Sequence, residues 1–448
     1  MEPMNLTIFI PLLFALQALY WAVGRRASRQ LETNEDYFLA GKTVRFFPLM
    51  MTFLATQVGG GLVLGSAEEA YRHGWPVLLY PLGAALGLIV LGMGMGRKLA
   101  QFQVSTVAQI LEVVYRSPAL KKVASLLSVL SLFMILVAQV IASGKFLASI
   151  GFTNTPLFIA FWAIVILYTM KGGLKAVIST DLIQAAFFSV IFFLCFGLTY
   201  SSSLNLPALQ MDSFSAVSPK LCGWLLMPLL FMIIEQDMGQ RCFAGGSPRI
   251  VSLATFWAGI GTFLVCLVPI FFGVLAKSQG MQAPQGSSIL IAAIAQLTNP
   301  WIAALAGCAI LAAIISTAGS LITAISSNLS SDFPKDRSLK SVQLITGAIS
   351  ICAIFFAFYF DNVVDVLIQS YDLSVSCLFI PIVVGLFKKR GHFLSALLSI
   401  LMGSAAFILF RFMPIPFPRE LASIALSGTG FLLGELLAKK EFAVEQKI

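Results

Sequence analysis

The sequence predicts an all-α integral membrane protein, a single bundle of about thirteen spanning helices. Three observations carry this expectation. Of the 448 residues, 58% are hydrophobic and 11% are charged, with a mean hydropathy of +0.91; soluble domains run at about 45–50% apolar and about 25% charged. The apolar residues gather into stretches of about 20, each long enough to cross a bilayer core as a helix. The charges fall between those stretches as short punctuation, so the net charge of +9 marks no basic domain for nucleic acid.

In chain order the segments are Leu6–Val23, Phe46–Ala70, Trp75–Gly96, Val123–Ile150, Leu157–Met170, Ala176–Tyr200 and Cys222–Ile234. Val251–Leu275, Trp301–Ser327, Val342–Phe360, Val364–Phe387, Leu394–Phe412 and Leu421–Ala438 follow. The first reads as a span rather than a signal peptide, because Glu2 stands where basic residues would precede it and Arg25, Arg26 and Arg29 follow it. The fifth is short, and a count of twelve stays open on length alone. Alternating the sides of the loops places 23 of the 29 Lys and Arg residues on one side. The other side keeps Arg72, Lys145, Lys220, Lys277, Arg411 and Arg419. Basic loops stay cytoplasmic, so the expectation is an external N-terminus, a cytoplasmic C-terminus and thirteen segments. The seven cysteines form no CxxC pair, and His73 and His392 lie far apart, so thiols rather than a metal centre or disulfides are expected.

Two segments are interrupted in mid-span. The second carries Ala55-Thr56-Gln57-Val58-Gly59-Gly60-Gly61, and the seventh runs from apolar residues into Glu235-Gln236-Asp237-Met238-Gly239-Gln240-Arg241. Unwound backbone at membrane depth is tolerated only where it lines a cavity. The two lie five segments apart, and a repeat with an odd number of helices inserts with opposite topology. Segments 2–6 and 7–11 therefore read as inverted repeats with a solute site at their broken helices. The alternative for the glycines is that they only allow close helix packing.

The ninth segment adds Ala313, Ser316, Thr317 and Ser320 at i, i+3, i+4 and i+7, which share one helix face. Hydroxyls and a carbonyl on such a face suit an alkali cation and are too poor in charge for calcium or magnesium; they also suit bonds to the helix's own carbonyls. Asp181 opens the sixth segment, where an ionisable group is either functional or a helix-start carboxylate.

At these residues the chain resembles the sodium:solute symporter family over nearly its whole length. The resemblance rests on Glu35-Asp36-Tyr37-Phe38-Leu39-Ala40-Gly41, on Gly172-Gly173-Leu174 with Thr180-Asp181 and Gln184, and on Gln240-Arg241 with Ser247-Pro248-Arg249. It extends through Ala312 to Thr317 with Ser326-Ser327, and through Pro381, Gly385-Leu386-Phe387 and Lys389-Arg390. It implies a leucine-transporter-type fold: a five-plus-five inverted repeat (46–200 and 222–387), one extra N-terminal helix (6–23) and two C-terminal helices (394–438).

The resemblance also implies a sodium site formed by carbonyls of Ala55, Val58 and Ala313 and hydroxyls of Ser316 and Thr317. Its substrate-facing positions are Gln57, Gly60, Leu62, Tyr80, Glu235, Asp237 and Gln369. A family subset with two sodium ions points to a second cation at Asp181 and Ser320, with Gly319 where a further hydroxyl is expected. Lys175 or a neighbouring cytoplasmic base is the competing partner for Asp181, and Arg241 the competing partner for Glu235 and Asp237. The choline branch's tryptophan positions are occupied by Gln57 and Glu235, which argues against choline.

The expected function is sodium-coupled import of a small polar organic solute through the plasma (inner) membrane, with no cofactor beyond the coupling ion. A proton-coupled symporter of the same fold and a membrane sensor are the alternatives. The chain runs only ten residues past the last segment, which favours a transporter over a sensor fused to a signalling domain. No nucleophile–base pair, phosphate loop or metal cluster suggests an enzyme.

Overall fold

A computed structural model describes residues 5–29, 33–152, 155–200, 218–284, 286–333, 339–360, 362–388, 390–413 and 417–445. Of the basic residues used for topology, Lys335, Arg337, Lys389 and Lys447 lie outside the described residues. Each of the thirteen apolar segments coincides with helix. The N-terminal helix is α1 (Leu6–Ser28), and the second segment splits into α2 (Phe46–Gln57) and α3 (Gly61–His73), bent by 58°. α4 (Trp75–Gln101) and α5 (Pro118–Ser149) follow. The fifth and sixth segments form one kinked helix, α6 (Thr155–Tyr200). The seventh splits into α7 (Ser218–Ile234) and α8 (Gln236–Ala244), bent by 43°. The last are α9 (Pro248–Ser278), α10 (Pro300–Ser331), α11 (Leu339–Phe356), α12 (Val363–Phe387), α13 (Phe393–Phe412) and α14 (Arg419–Glu445).

Among the described residues nine helices are long and apolar enough to cross a membrane, or eleven when each bent pair is one span. α11 is a shorter apolar helix, and the arm of α6 before its kink adds no separate span by this measure.

Three of the long helices start by the same local chemistry. Ser117, Ser247 and Asn299 each precede a proline, and their side chains accept from the backbone N–H of Leu120 (3.3 Å), Ile250 (3.3 Å) and Ile302 (2.9 Å). The cap satisfies an orphan donor and the proline occupies a position that needs none. The kink in α6 falls at Gly173, whose φ of 58° and ψ of −168° leave the helical region. A Cβ there would sit 2.6 Å from the Tyr37 carbonyl oxygen, so both conformation and space require glycine. The kink releases the Met170 carbonyl, which accepts from the Tyr37 hydroxyl and from Gln343 Nε2 (3.0 Å).

Burial separates centre from periphery. In its most apolar stretch α10 is 89% buried inside the bundle, against 11% for α1 and 33% for α13 and α14. Ala, Gly, Ser and Thr dominate α10, and small side chains let neighbouring backbones approach closely in a membrane. The middle of the bundle is therefore α10 against the broken helices, where the sodium and solute residues were expected.

Candidate sodium and solute site

At the first break α2 ends on Gln57, and Val58 turns away with φ −81° and ψ 78°. Gly59 N–H donates to the Gln57 carbonyl (3.0 Å), and Gly60 N–H donates to Gln139 Oε1 (2.7 Å) on α5. A wide π-type turn over Gly61–Gly65 then leads into the rest of α3. The glycines serve both readings of the sequence. They allow the break, and a Cβ at Gly59, Gly60 or Gly61 would sit 2.5 Å from Thr317 Oγ1, 2.3 Å from Ala142 Cβ or 2.0 Å from Leu367 Cδ1.

The α10 hydroxyls meet the end of α2. Ser316 Oγ donates to the Ala55 carbonyl (2.9 Å) and lies within bonding distance of the Ala313 carbonyl (2.9 Å). Thr317 Oγ1 reaches the carbonyls of Thr56 (2.9 Å), Ala313 (3.2 Å) and Ala55 (3.3 Å). Ala55, Ala313, Ser316 and Thr317 thus converge. Buried Val58 sits at the turn itself, and neither hydroxyl donates to its carbonyl.

One turn further along α10 lies a sealed polar cluster. Asp181 Oδ2 accepts from Thr52 Oγ1 (2.5 Å) and pairs with Arg241 Nη2 (3.4 Å), both charged side chains being fully buried. Arg241 Nη2 also donates to Ser320 Oγ (2.5 Å), Nε to Thr52 Oγ1 (3.0 Å) and Nη1 to the Asp237 carbonyl (3.0 Å). The structure therefore brings Asp181 and Ser320 together around a guanidinium. Lys175 is not the partner of Asp181: Arg241, on the far side of the second break, is. Ser320 Oγ donates on to the Ser316 carbonyl (3.0 Å) and shares a hydrogen bond with Thr56 Oγ1 (2.9 Å). The cluster is thereby continuous with the candidate sodium residues.

Between the two breaks lies a cavity of about 20 Å³, room for about one water. Gln57, Leu62, Tyr80, Glu235 and Asp237 line it. Gly60 and Gln369 do not; α12 presents Leu367 and Tyr371 instead, and Gly60 packs behind the break on α5. Tyr371 stacks on Phe231 of α7, with ring centroids 4.6 Å apart. Gln139 is the residue that sequence reading passed over. A glutamine in the middle of the apolar fourth segment was the available signal, because such a polar group is costly in a span without a partner.

At the opposite end of the bundle a second charged cluster surrounds Glu68 and Glu69 of α3. Glu68 Oε2 pairs with Lys145 Nζ (2.6 Å), and Glu69 with Arg72 (3.3 Å), Lys220 (3.4 Å) and His73 (3.5 Å). Asn362 Nδ2 donates to Glu69 (3.3 Å), and Lys277 Nζ to the Arg72 carbonyl (2.8 Å). Four of the six basic residues assigned to that side by alternation thus meet at one place.

Comparison with known proteins fits this geometry. The chain is 26% identical over 273 residues to high-affinity choline transporter 1 of Drosophila melanogaster, covering 58% of this chain and 43% of that one. It is 29% identical over 192 residues to the sodium/pantothenate symporter of Haemophilus influenzae, covering 40% and 39%. The matched part thus spans less than half the length of these relatives. A Na+-coupled sialic acid symporter, solved substrate-bound and outward-open, superposes with a TM-score of 0.73 at 19% identity over 96% of this chain and 98% of that chain. A nucleobase-cation-symport-1 family transporter, solved closed with bromovinylhydantoin bound, gives 0.60 at 13% identity over 90% and 94%. These likenesses establish the leucine-transporter-type fold expected from the resemblance. Residues 37–403 match the sodium:solute symporter family as a whole, and the chain, a multi-pass membrane protein, belongs to that family.

Proposed function

We propose that the protein is a sodium-coupled symporter that imports a small polar organic solute across the plasma membrane by alternating access. The observation that carries this is the meeting of Ser316 and Thr317 with the Ala55 carbonyl at the break of α2 and α3. A cation there joins a broken helix of the first repeat (46–200) to a helix of the second (222–387), so its binding biases how the two halves sit. Ala55, Val58, Ala313, Ser316 and Thr317 are the sodium ligands in this reading, and the adjoining cavity, closed here to the room of about one water, widens to take the solute. Gly60 acts from behind its lining, against α5. The N-terminus is external and the C-terminus cytoplasmic, following the basic residues, which puts the Arg241 cluster at the cytoplasmic end. In this reading Arg241 supplies the cation between Asp181 and Ser320, where a second sodium was expected.

Binding of radiolabelled sodium to the purified protein in nanodiscs tests this without knowledge of the solute. Wild type should bind sodium saturably, displaced by unlabelled sodium and not by potassium. Ser316→Ala with Thr317→Ala should weaken binding about tenfold or more, the loss expected for hydroxyl ligands of a charged group. Equal sodium binding by the double variant would make these hydroxyls mere helix-backbone partners. Absence of saturable binding, with uptake driven by a pH gradient, would put a proton in sodium's place.

A further inference from the structure

We infer that the solute is an organic cation carrying several N–H donors, a protonated amine or guanidinium, gripped by Glu235 and Asp237. The inference rests on the proposed function, in that it takes the cavity between the breaks as the solute site. Glu235 and Asp237 are 6% and 2% exposed and both line the cavity. Glu235 Oε2 and Asp237 Oδ1 are buried and accept from no N–H or hydroxyl among the described residues, and the two carboxyl groups stand within hydrogen-bonding reach of each other. Tyr80, 1% exposed, adds a third polar group, its hydroxyl set beside that of Tyr371 at the cavity. No Lys, Arg or His lines the cavity among the described residues.

The nearest cation does not answer this demand. Arg241 spends its guanidinium on Thr52, Ser320, Asp181 and the backbone carbonyl of Asp237, not on either carboxylate of the cavity. Its charge is matched by Asp181. Two neighbouring buried carboxyls therefore face the cavity while the one cation near enough to act on them, Arg241, is already paired with Asp181, and burying carboxylates in excess of their counter-charge is costly. A proton shared between the two would partner one oxygen of each and would still leave one negative charge and further lone pairs to be met. A ligand with several N–H groups answers both needs, because ionised carboxylates only accept and charge-assisted bonds are the strong ones.

The same geometry disfavours a quaternary ammonium. Such a group has no N–H to give, and its recognition needs aromatic faces around it. Tyr80 and Tyr371 are the cavity's aromatics, and the face of Tyr371 is partly covered by Phe231. Acceptors, not a cage, dominate the lining.

Binding of ethanolamine, 1,4-diaminobutane, agmatine, choline, myo-inositol and pantothenate is measured by calorimetry on the full chain in nanodiscs at saturating sodium. At least one of the three amines should bind, at least about tenfold tighter than choline, the neutral polyol or the acid. Glu235→Gln and Asp237→Asn should each weaken that binding by a similar factor while sodium alone still binds as in wild type. The pair of variants guards against one of them misfolding, and the wild-type panel needs neither. Preference for choline, the polyol or the acid, or amine binding unchanged in both variants, overturns the inference and leaves sodium coupling standing. So does silence from all three amines at millimolar concentration. Loss of sodium binding in wild type would instead overturn the symport reading itself.

Discussion

The two ends of the bundle hold charge in opposite ways. At the Arg241 end, a guanidinium and a carboxylate are both fully buried, and three polar groups, on α2, α8 and α10, close around them. At the Glu69 end, a carboxylate whose side chain is 2% exposed is met by Arg72 and Lys220 side chains that are 54% and 42% exposed. A pair sealed from water has no solvent to replace a lost partner. Breaking one therefore costs far more than the pair is worth intact. Cations that stand half in water exchange a carboxylate for water at little cost. By this argument the sealed pair separates at far greater cost than any one contact at the second end.

The largest expected effect follows from the sealed pair. Arg241→Met leaves Asp181 buried without its cation and should destabilise the protein by about 3–5 kcal/mol. Asp181→Asn combined with Arg241→Met removes both charges and should recover most of that loss, because the two sites are in contact and their effects do not add. Thermal melts of the two variants in nanodiscs give the comparison. A double variant as unstable as Arg241→Met would show that the guanidinium matters through packing, not through Asp181.

How much of this was legible in the sequence follows the range of the interactions. Both breaks were, because glycines at 59–61 and polar residues from Glu235 onward interrupt otherwise apolar runs. The α10 face was, because Ala313, Ser316, Thr317 and Ser320 obey the helical period. The α6 kink has its mark in Gly172-Gly173. The partner of Asp181 was not: Arg241 lies 60 residues away, and only the packing of both α8 and α6 against α2 and α10 selects it over the nearer Lys175. Nor was the inward face of α12. Asp365, Gln369, Asp372 and Ser376 follow the helical period and share one face, whereas the cavity is lined from another side by Leu367 and Tyr371.

The next effect sharpens the comparison by asking which end communicates with the sodium residues. Ser320 bonds Arg241 on one side and the Ser316 carbonyl and Thr56 hydroxyl on the other. Ser320→Ala cuts that chain without touching Ser316 or Thr317. It removes an acceptor from a buried cation, which costs about 1.5–3 kcal/mol, and sodium affinity should fall several-fold along with stability. Radiolabelled sodium binding reads this directly. Unaltered sodium affinity in a folded Ser320→Ala protein would mean that the Arg241 end and the sodium site are neighbours without being coupled.

The smallest effect is expected at the other end. Lys220 Nζ stands 3.4 Å from Glu69 Oε2 with 42% of its side chain exposed, and its ring neighbour is Trp224, 5.6 Å away. An exposed pair of this kind contributes about 0–1 kcal/mol, and Glu69 keeps Arg72, His73 and Asn362 when the lysine is gone. Lys220→Ala should therefore leave the melt within about 1 kcal/mol of wild type, and sodium affinity unchanged, since no hydrogen-bond chain joins Glu69 to Ser316 among the described residues. The remaining pairs around Glu69 should also weaken as ionic strength rises at fixed sodium, because charges near water are screened over about 8–10 Å; the Asp181–Arg241 pair should not respond. A Lys220→Ala protein as unstable as Arg241→Met would reverse the contrast. It would mean that Glu69, itself nearly without exposure, depends on this one lysine as Asp181 depends on Arg241.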